Sequence, residues 1–471
     1  MSPLPDGLEQ DRQDGLAVPF SGAGAGTAPM GWGQKAIWRD MQESGNQFTM
    51  WGRMKLPEGS TVADAAARLS GLMQRHAALR TRLSTGAGGR LEQEVAGSGQ
   101  IGLEVLEVSD DTDPAEAERY ADYLMNAWHL VRFDFHRDWP LRVAVVRHRG
   151  AAAHLVWALS HLVADGAGHI LLAADLRSPG ALDPERPQIL DVARSEAEPQ
   201  LRQLSRRAMR HWENQLRHIP AVTFGGAGRA LGPGEQRYWQ ARFSSPAAHL
   251  AMLTVAKRTG TDASRVALAM IATAIGRATG VHPLTVKVMV SNRFRSDLAN
   301  VIAPVAQNSV LTIYVTDTSI DEVVTRTRGA SLSSGMRAYY DPDDLAEVMA
   351  RLDAERGYPA SVTCRINDQR AMVRRDDAAS TAAADDADPM TLKQKLAETT
   401  LTWLGPRYNM HEQVNILIEN KPDVVSLHMM WDRQCLTDEQ VEALLRGVEE
   451  VAVEAALDPA APTKVSAATS V

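Results

Sequence analysis

The stretch Ala153-His154-Leu155-Val156-Trp157-Ala158-Leu159-Ser160-His161-Leu162-Val163-Ala164-Asp165-Gly166 joins an apolar run to a turn signal. A run this apolar, closed by Asp-Gly, reads as a buried strand over 153–161 that empties into a loop. His161 then sits where the sheet meets a cavity, the place for a general base. An imidazole, with an ordinary pKa of about 6.5, needs little tuning for that task. Side chains alternate along a strand, so Leu155, Trp157, Leu159 and His161 share one face, and His154, Val156, Ala158 and Ser160 share the other. Ser160 therefore packs behind the histidine. Asp165 has two partners open to it: the ring of His161, as in a triad, or a cation elsewhere that would hold the loop. On spacing alone, a satisfied core histidine followed by a turn aspartate is the commoner outcome, so the neighbouring segments decide.

A chain of 471 residues exceeds one ordinary core and predicts two domains. Its composition, 44% apolar and 23% charged, is that of a packed globular protein. The net charge of -8 argues against general nucleic-acid binding, which needs a cationic surface. The local run Arg202-Gln203-Leu204-Ser205-Arg206-Arg207 reads as the solvated face of a helix. Cys364 and Cys435 are the only cysteines, which excludes a disulfide framework and a cysteine-based metal site. His148, His154, His161 and His169 have no metal-ligand spacing, so no metal is expected. The N-terminus lacks the pattern of a signal peptide, and the longest apolar stretch, 266–275, is too short to cross a bilayer. A cytoplasmic monomer without membrane or nucleic-acid partners is expected.

Residues 1–28 are rich in Gly, Pro, Asp and Ala and read as a disordered tail. Within them Ser21-Gly22-Ala23-Gly24-Ala25-Gly26-Thr27 lacks the Gly-Lys-Ser/Thr ending of a phosphate loop and reads as a tether. An N-terminal lobe is expected over 29–180, with a helix from Thr61 to Arg80 and strands over 101–107 and 141–147. A polar, proline-punctuated linker follows over 181–199. A C-terminal lobe is expected over 200–458. Its predicted helices are 201–216, 247–259, 263–279 and 437–456, its predicted strands 237–243, 284–290, 414–418 and 424–431. The low-complexity stretch 374–389 reads as a mobile insertion, and 459–471 as a second tail. The pattern gives a two-lobed α/β or α+β protein.

Five further segments, in order, carry a resemblance. Met30-Gly31-Trp32-Gly33-Gln34-Lys35-Ala36-Ile37-Trp38 is similar to the opening segment of the condensation domains of nonribosomal peptide synthetases. Gln74-Arg75-His76-Ala77-Ala78-Leu79-Arg80-Thr81-Arg82-Leu83 resembles their Arg-His-x-x-Leu-Arg-Thr segment. Phe133-Asp134-Phe135 and Trp139-Pro140-Leu141-Arg142 resemble the stretch before their motif strand. Ser160 to Gly166 is similar to their His-His-x-x-x-Asp-Gly core, with Ser160 in place of the first histidine. Ser291-Asn292-Arg293-Phe294-Arg295 through Val305-Ala306-Gln307-Asn308-Ser309 resembles their Gly-Arg and Val-Asn-Thr region. The family's Asp-Phe-Gly-Trp-Gly segment has no counterpart here; Trp403-Leu404-Gly405-Pro406-Arg407-Tyr408 stands in its neighbourhood.

The resemblance implies two chloramphenicol-acetyltransferase-like lobes in a V, with a central active-site tunnel. It implies a freestanding enzyme that transfers an acyl or aminoacyl group from a carrier-protein phosphopantetheine thioester to an amine or alcohol, forming an amide or ester. No cofactor would be bound permanently. His161 would be the catalytic base, with Ser160, Asp165, Gly166 and Arg293 supporting it, Asp165 pairing with Arg293 of the other lobe. A coenzyme A-dependent O-acyltransferase, such as the wax-ester or diacylglycerol synthases or the polyketide-associated acyltransferases, is the alternative donor reading. A silent homologue that only binds an acyl or peptidyl carrier protein is the alternative of another class. The sequence carries no Gly-x-Ser-x-Gly elbow, in keeping with a thioester already activated.

Overall fold

A computed structural model describes the chain except residues 1–11, 110–112, 129–130, 181–182, 184, 226–229, 233, 373–387, 408–409, 411 and 467–471. It divides into two compact units, Met1–Gln203 with Asn292–Ala306, and Leu204–Ser291 with Gln307–Val471. The short insert Asn292–Ala306, counted by sequence with the C-terminal lobe, thus packs with the first unit. The division of the main chain falls at 203/204, past the expected linker.

The strands of the first unit are β1 (Arg12–Ser21), β2 (Gly26–Pro29), β3 (Thr49–Lys55), β4 (Thr81–Thr85), β5 (Leu91–Val95), β6 (Ser98–Val108), β7 (Leu141–His148) and β8 (Ala151–Ser160). Five of them form a mixed sheet in the order β1-β6-β7-β8-β3, parallel only between β6 and β7; β2-β5-β4 form a small second sheet. The helices are α1 (Trp32–Ser44), α2 (Val62–Arg75), α3 (Pro114–Ala127), α4 (Gly166–Arg177) and α5 (Ile189–Glu196); α6 (Pro199–Leu216) leads into the second unit. One face of the large sheet packs Val146, Val156 and Ala158 on Tyr120 and Ala121 of α3. The other presents Leu155, Trp157 and Leu159 to Leu69 and Leu72 of α2 and Leu172 of α4. Alternation along β8 is thus realised with both faces covered, which is why the run is so apolar.

α2 starts where a capping box closes it: Thr61 Oγ1 accepts from the Asp64 amide at 3.1 Å, and the Asp64 carboxylate accepts from the Thr61 amide at 2.8 Å. It ends at Arg75, earlier than the expected Arg80, because Ala77–Arg80 tighten into a 3-10 turn. The buried Arg80 guanidinium then donates to the carbonyls of Met73, Gly22, Ala23 and Ala96.

That arginine fixes the stretch expected to be a tether, and the tail reading of 1–28 is corrected for its described residues. β1 pairs along β6, burying Val18 and Phe20, with Pro19 tolerated because β1 is an edge strand. The linker reading of 181–199 is likewise corrected. α5 lies within it and buries Ile189, Leu190, Val192 and Ala193.

In the second unit a seven-stranded sheet runs β11 (Gln307–Ile313), β10 (Leu284–Val290), β12 (Cys364–Asp368), β14 (Val414–Glu419), β15 (Val425–Asp432), β9 (Tyr238–Ser245), β13 (Thr400–Arg407). Helices α7 (Pro246–Thr259), α8 (Ala263–Thr279), α9 (Ile320–Gly335) and α12 (Asp438–Leu457) bury the apolar face of this sheet, while α10 (Pro342–Arg356) and α11 (Pro389–Leu396) complete the unit. Residues 266–276 of α8 are buried all round, which explains an apolar stretch too short for a membrane. No helix among the described residues is long and apolar enough to cross one.

The second tail is also corrected: Ala461, Thr463 and Val465 are buried. This segment accepts from the amides of Ile320 and Asp317 through Ala461 and Val465, at 2.9 and 3.0 Å. Most of the insertion 374–389 lies outside the described residues; Asp388 caps α11.

Gly33, in the first turn of α1, is required by close approach, since a Cβ there would lie 1.6 Å from the Pro304 carbonyl oxygen. Gly33→Ala is expected to lower stability by about 1–3 kcal/mol or more in urea melts. Gly329→Ala, at an exposed position in α9 with nothing near its Cβ, is expected to raise it by about 0.5–1 kcal/mol.

Candidate functional site

β8 ends at Ser160, so His161 stands one residue beyond the strand, in a turn. The turn is tightly specified. The Ser160 amide donates to Pro140 at 2.8 Å, the Val163 amide to Ser160 at 3.3 Å, and the His161 amide to Phe48 at 3.1 Å. Phe48 holds a left-handed φ of 45°, a strained value for a large side chain. Ser160 is fully buried, and its Oγ accepts from the Leu162 amide at 3.2 Å. Within Ser160–Asp165 only His161 escapes full burial. Its neighbours anchor the turn, and His161 is partly exposed with its Nδ1 buried.

Trp157, two residues before Leu159, lies across from Gly52 of β3, where a Cβ would sit 2.4 Å from the indole. The indole Nε1 donates to His169 Nε2 at 2.9 Å. His169, in the first turn of α4, is held down at about 4, by burial first and then by the positive charges of His161 and Arg177. It is therefore neutral at neutral pH, an acceptor at Nε2 and so protonated at Nδ1. Beside Trp157 and His169, an apolar cavity of about 20 Å³ between α2, α4 and the sheet has room for little more than one water molecule.

Asp165 caps α4, its Oδ1 accepting from the Gly168 amide at 2.8 Å. The same oxygen accepts from Arg293 Nη2 at 2.6 Å, and Oδ2 from the amides of Val305 and Ala306 at 3.1 and 3.0 Å. His161 is not among these donors. Arg293 also donates to the carbonyls of Leu298, Ala299, Val301 and Ala303, and Asn292 Nδ2 to Val305 at 2.8 Å. The pair is almost wholly buried and lies inside the first unit, since Arg293 belongs to its Asn292–Ala306 insert. The resemblance implied a pair across lobes. Gly166 is the first residue of α4.

A bonded histidine–aspartate pair does exist elsewhere. His76 Nε2 meets Asp175 Oδ2 at 2.8 Å with both side chains buried, Arg75 donating to the same oxygen and Arg186 to His76 Nδ1 at 2.7 Å. Burial lowers the His76 pKa, outweighing Asp175. A donor at each end and no access make this a structural knot behind the Arg75-His76 segment.

The thiol of Cys364 is fully buried and pushed up by that burial; Cys435 is pushed up to about 11, by burial first. Neither is a nucleophile. No group of the described residues could hold a metal ion. Trp403 stacks edge-on against Trp431, at 5.7 Å between ring centres, within the second unit.

The family profile described as Condensation domain matches residues 34–366. The chain belongs to that family, acyltransferases that form amide or ester bonds. Over 292 residues it is 27% identical to the AMB antimetabolite synthetase AmbB of Pseudomonas aeruginosa, covering 59% of this chain and 22% of AmbB. It therefore spans about a fifth of that relative's length. The condensation domain that mediates chain release from the enacyloxin polyketide synthase has the same fold, with a TM-score of 0.69, 19% identity, and coverage of 96% of this chain and 86% of that one. SgcC5 from Streptomyces globisporus follows at TM-score 0.65 and 19% identity, over 92% of this chain and 100% of that one. The fold is thus the mixed α/β fold of the condensation and chloramphenicol-acetyltransferase type.

Two predictions follow from this geometry. Asp165→Asn and Arg293→Gln should each lower stability by about 3–5 kcal/mol, and the double variant by less than the sum, because the second change removes a charge already unpaired. Additive losses in chemical melts would contradict the pair. His169, neutral when folded and ordinary when unfolded, must give up stability as pH falls from its unfolded value of about 6.5 toward 4. His169→Gln keeps an acceptor for Trp157, and should lose about 2 kcal/mol less than wild type between pH 7 and 5.

Proposed function

We propose that His161 is the general base of an acyl transfer from a carrier-protein phosphopantetheine thioester to an amine or hydroxyl acceptor. The observation that carries this is that His161 is the one partly exposed residue of the otherwise buried turn Ser160–Asp165, beside a carboxylate fully engaged elsewhere. In the reaction the acceptor nitrogen or oxygen bonds to the thioester carbon while His161 takes its proton. The carbon–sulfur bond then breaks, and the departing thiolate is protonated. The thioester needs no enzyme nucleophile; alignment supplies much of the rate. Neutral His169 favours this cycle, since a second imidazolium beside His161 would oppose proton uptake.

Asp165 and Arg293 are positioning residues in this reading. Together they fix the start of α4 and, with it, the turn bearing His161. Ser160 takes no proton. Its hydroxyl faces loop backbone, so substitution of the family's first histidine alters packing behind the base. An alcohol acceptor is supported by the complex of SgcC5 with (R)-(-)-1-(2-naphthyl)-1,2-ethanediol, a molecule with two hydroxyls. The partners would be an acyl or peptidyl carrier protein and a small amine or alcohol.

The test offers one acyl group as a carrier-bound thioester and as its coenzyme A ester, with amines and diols, and follows products by mass. The carrier form should be preferred. His161→Ala should slow transfer by about 100-fold or more with little change in melting temperature. Ser160→Ala should stay within about tenfold, the hydroxyl being turned from the accessible side. Near-normal turnover by folded His161→Ala protein would overturn the assignment.

A further inference from the structure

The seven-stranded sheet of the second unit has an apolar face, carrying Cys364, Ile366, Val414 and Ile416 into the core. Alternation therefore puts Lys287, Arg365, Asn367 and Asn415 on its other face. Register makes them neighbours: Lys287 lies beside Arg365 on the parallel pair β10–β12, and Arg365 beside Asn415 on β12–β14. Most arginines of this unit's sheet and its margins meet a carboxylate. Arg237 bonds Asp432, Arg242 bonds Glu419, Arg370 bonds Asp368 and Arg433 bonds Asp438.

Arg365 departs from this pattern. Among the described residues its half-buried side chain makes no hydrogen bond or ion pair, and its Nε is buried without a partner. Asn415, 7% exposed, and Asn367 each have a buried Oδ1 with no partner either. The buried guanidinium hydrogen lacks an acceptor, and something outside the protein can supply it; the two amide oxygens are acceptors themselves and would not be met by an anion.

The surrounding charge says what that something is. Lys287 Nζ reaches Glu412 at 3.3 Å, the one carboxylate in the group. Burial raises the Glu412 pKa, but Lys287 and Arg365 together hold it below its ordinary value. Arg407, at the end of β13, is lowered by the surrounding protein and then by the like charge of Arg365, although solvent reaches it. Three cations against one anion, in a chain of net charge -8, leave an uncompensated positive site on a sheet floor.

We propose that Arg365 and Lys287 form a binding site for an oxyanion, carboxylate or phosphate, borne by a substrate of this protein. Arg365 supplies a planar fork for two oxygens, and Lys287 a point charge beside it. A carboxylate would belong to an acidic acceptor, a phosphate to the phosphopantetheine arm of the donor. That a substrate carries it rests on the acyl-transfer reading; the site itself does not.

The test titrates benzoate, phenyl phosphate and neutral benzamide into the full chain by calorimetry, with no turnover required. Wild-type protein should bind at least one anion saturably and benzamide about tenfold more weakly or worse. Arg365→Met should weaken anion binding by about tenfold or more, whereas Arg206→Met, a control at an exposed arginine of α6, should leave it within about twofold. Preference for benzoate identifies the carboxylate source, and preference for phenyl phosphate the phosphate source. Arg365→Met should also melt no lower than wild type, since it removes an unpaired, half-buried cation.

Equal anion binding by Arg365→Met, no saturable binding of either anion, or equal binding of benzamide would overturn the site. Anion binding without acyl transfer would sink the catalytic reading alone. Transfer without anion binding would sink this inference alone.

Discussion

One buried carboxylate organises the site. Asp165 accepts from a helix-start amide, a guanidinium and two consecutive amides of the Asn292–Ala306 insert, so its two oxygens carry four donors. A carboxylate taken this far from water is tolerated only when its lone pairs are filled, and here they are. Arg293 is also committed, its Nη1 and Nη2 donating to carbonyls of its own insert. The insert is drawn against α1 closely enough that only glycine fits at position 33. A buried pair of this kind need not be more stabilising than an apolar one. What it supplies is a single geometry for the turn before α4, because any other leaves a charge unpaired.

That geometry separates two tasks that a triad would join. The aspartate holds the backbone, and the histidine is left to handle the proton. Phe48, Gly52 and Trp157 finish the work: the first by the carbonyl that receives the His161 amide, the others by placing the indole that donates to His169. The His76–Asp175 pair shows the converse. It has the bond that a triad requires and no access, and it serves the fold.

Elements built on local periodicity were legible in the sequence. α8 at 263–279 and β10 at 284–290 have the bounds that pattern and caps predict, and β7 and β8 differ by one to three residues. The family was legible too, because its motifs mark places where long-range contacts need particular side chains: Gly33, Arg75-His76, Arg80, Asp165 and Arg293. What pattern reading missed was structure whose partners are distant. β1 looks like a tail because its glycine and proline break the strand signal, yet β6 pairs with it and Arg80 pins the loop that follows. The 461–465 strap is polar and short, and only the carbonyls it offers to Asp317 and Ile320 make it part of the fold. Phe48 and His169 carry no motif, since a left-handed φ and an indole acceptor are set by the tertiary structure.

The central claim is that Asp165 positions the turn and does not orient the imidazole. It is tested most directly by the nitrogen-15 spectrum of His161 above its titration, in wild type and in folded Asp165→Asn protein. Bonding of the ring to Asp165 would fix its tautomer; independence leaves the tautomer to other neighbours. The account predicts the same tautomer ratio in both proteins. A ring held in one tautomer by wild type and released to a mixture by Asp165→Asn would contradict it.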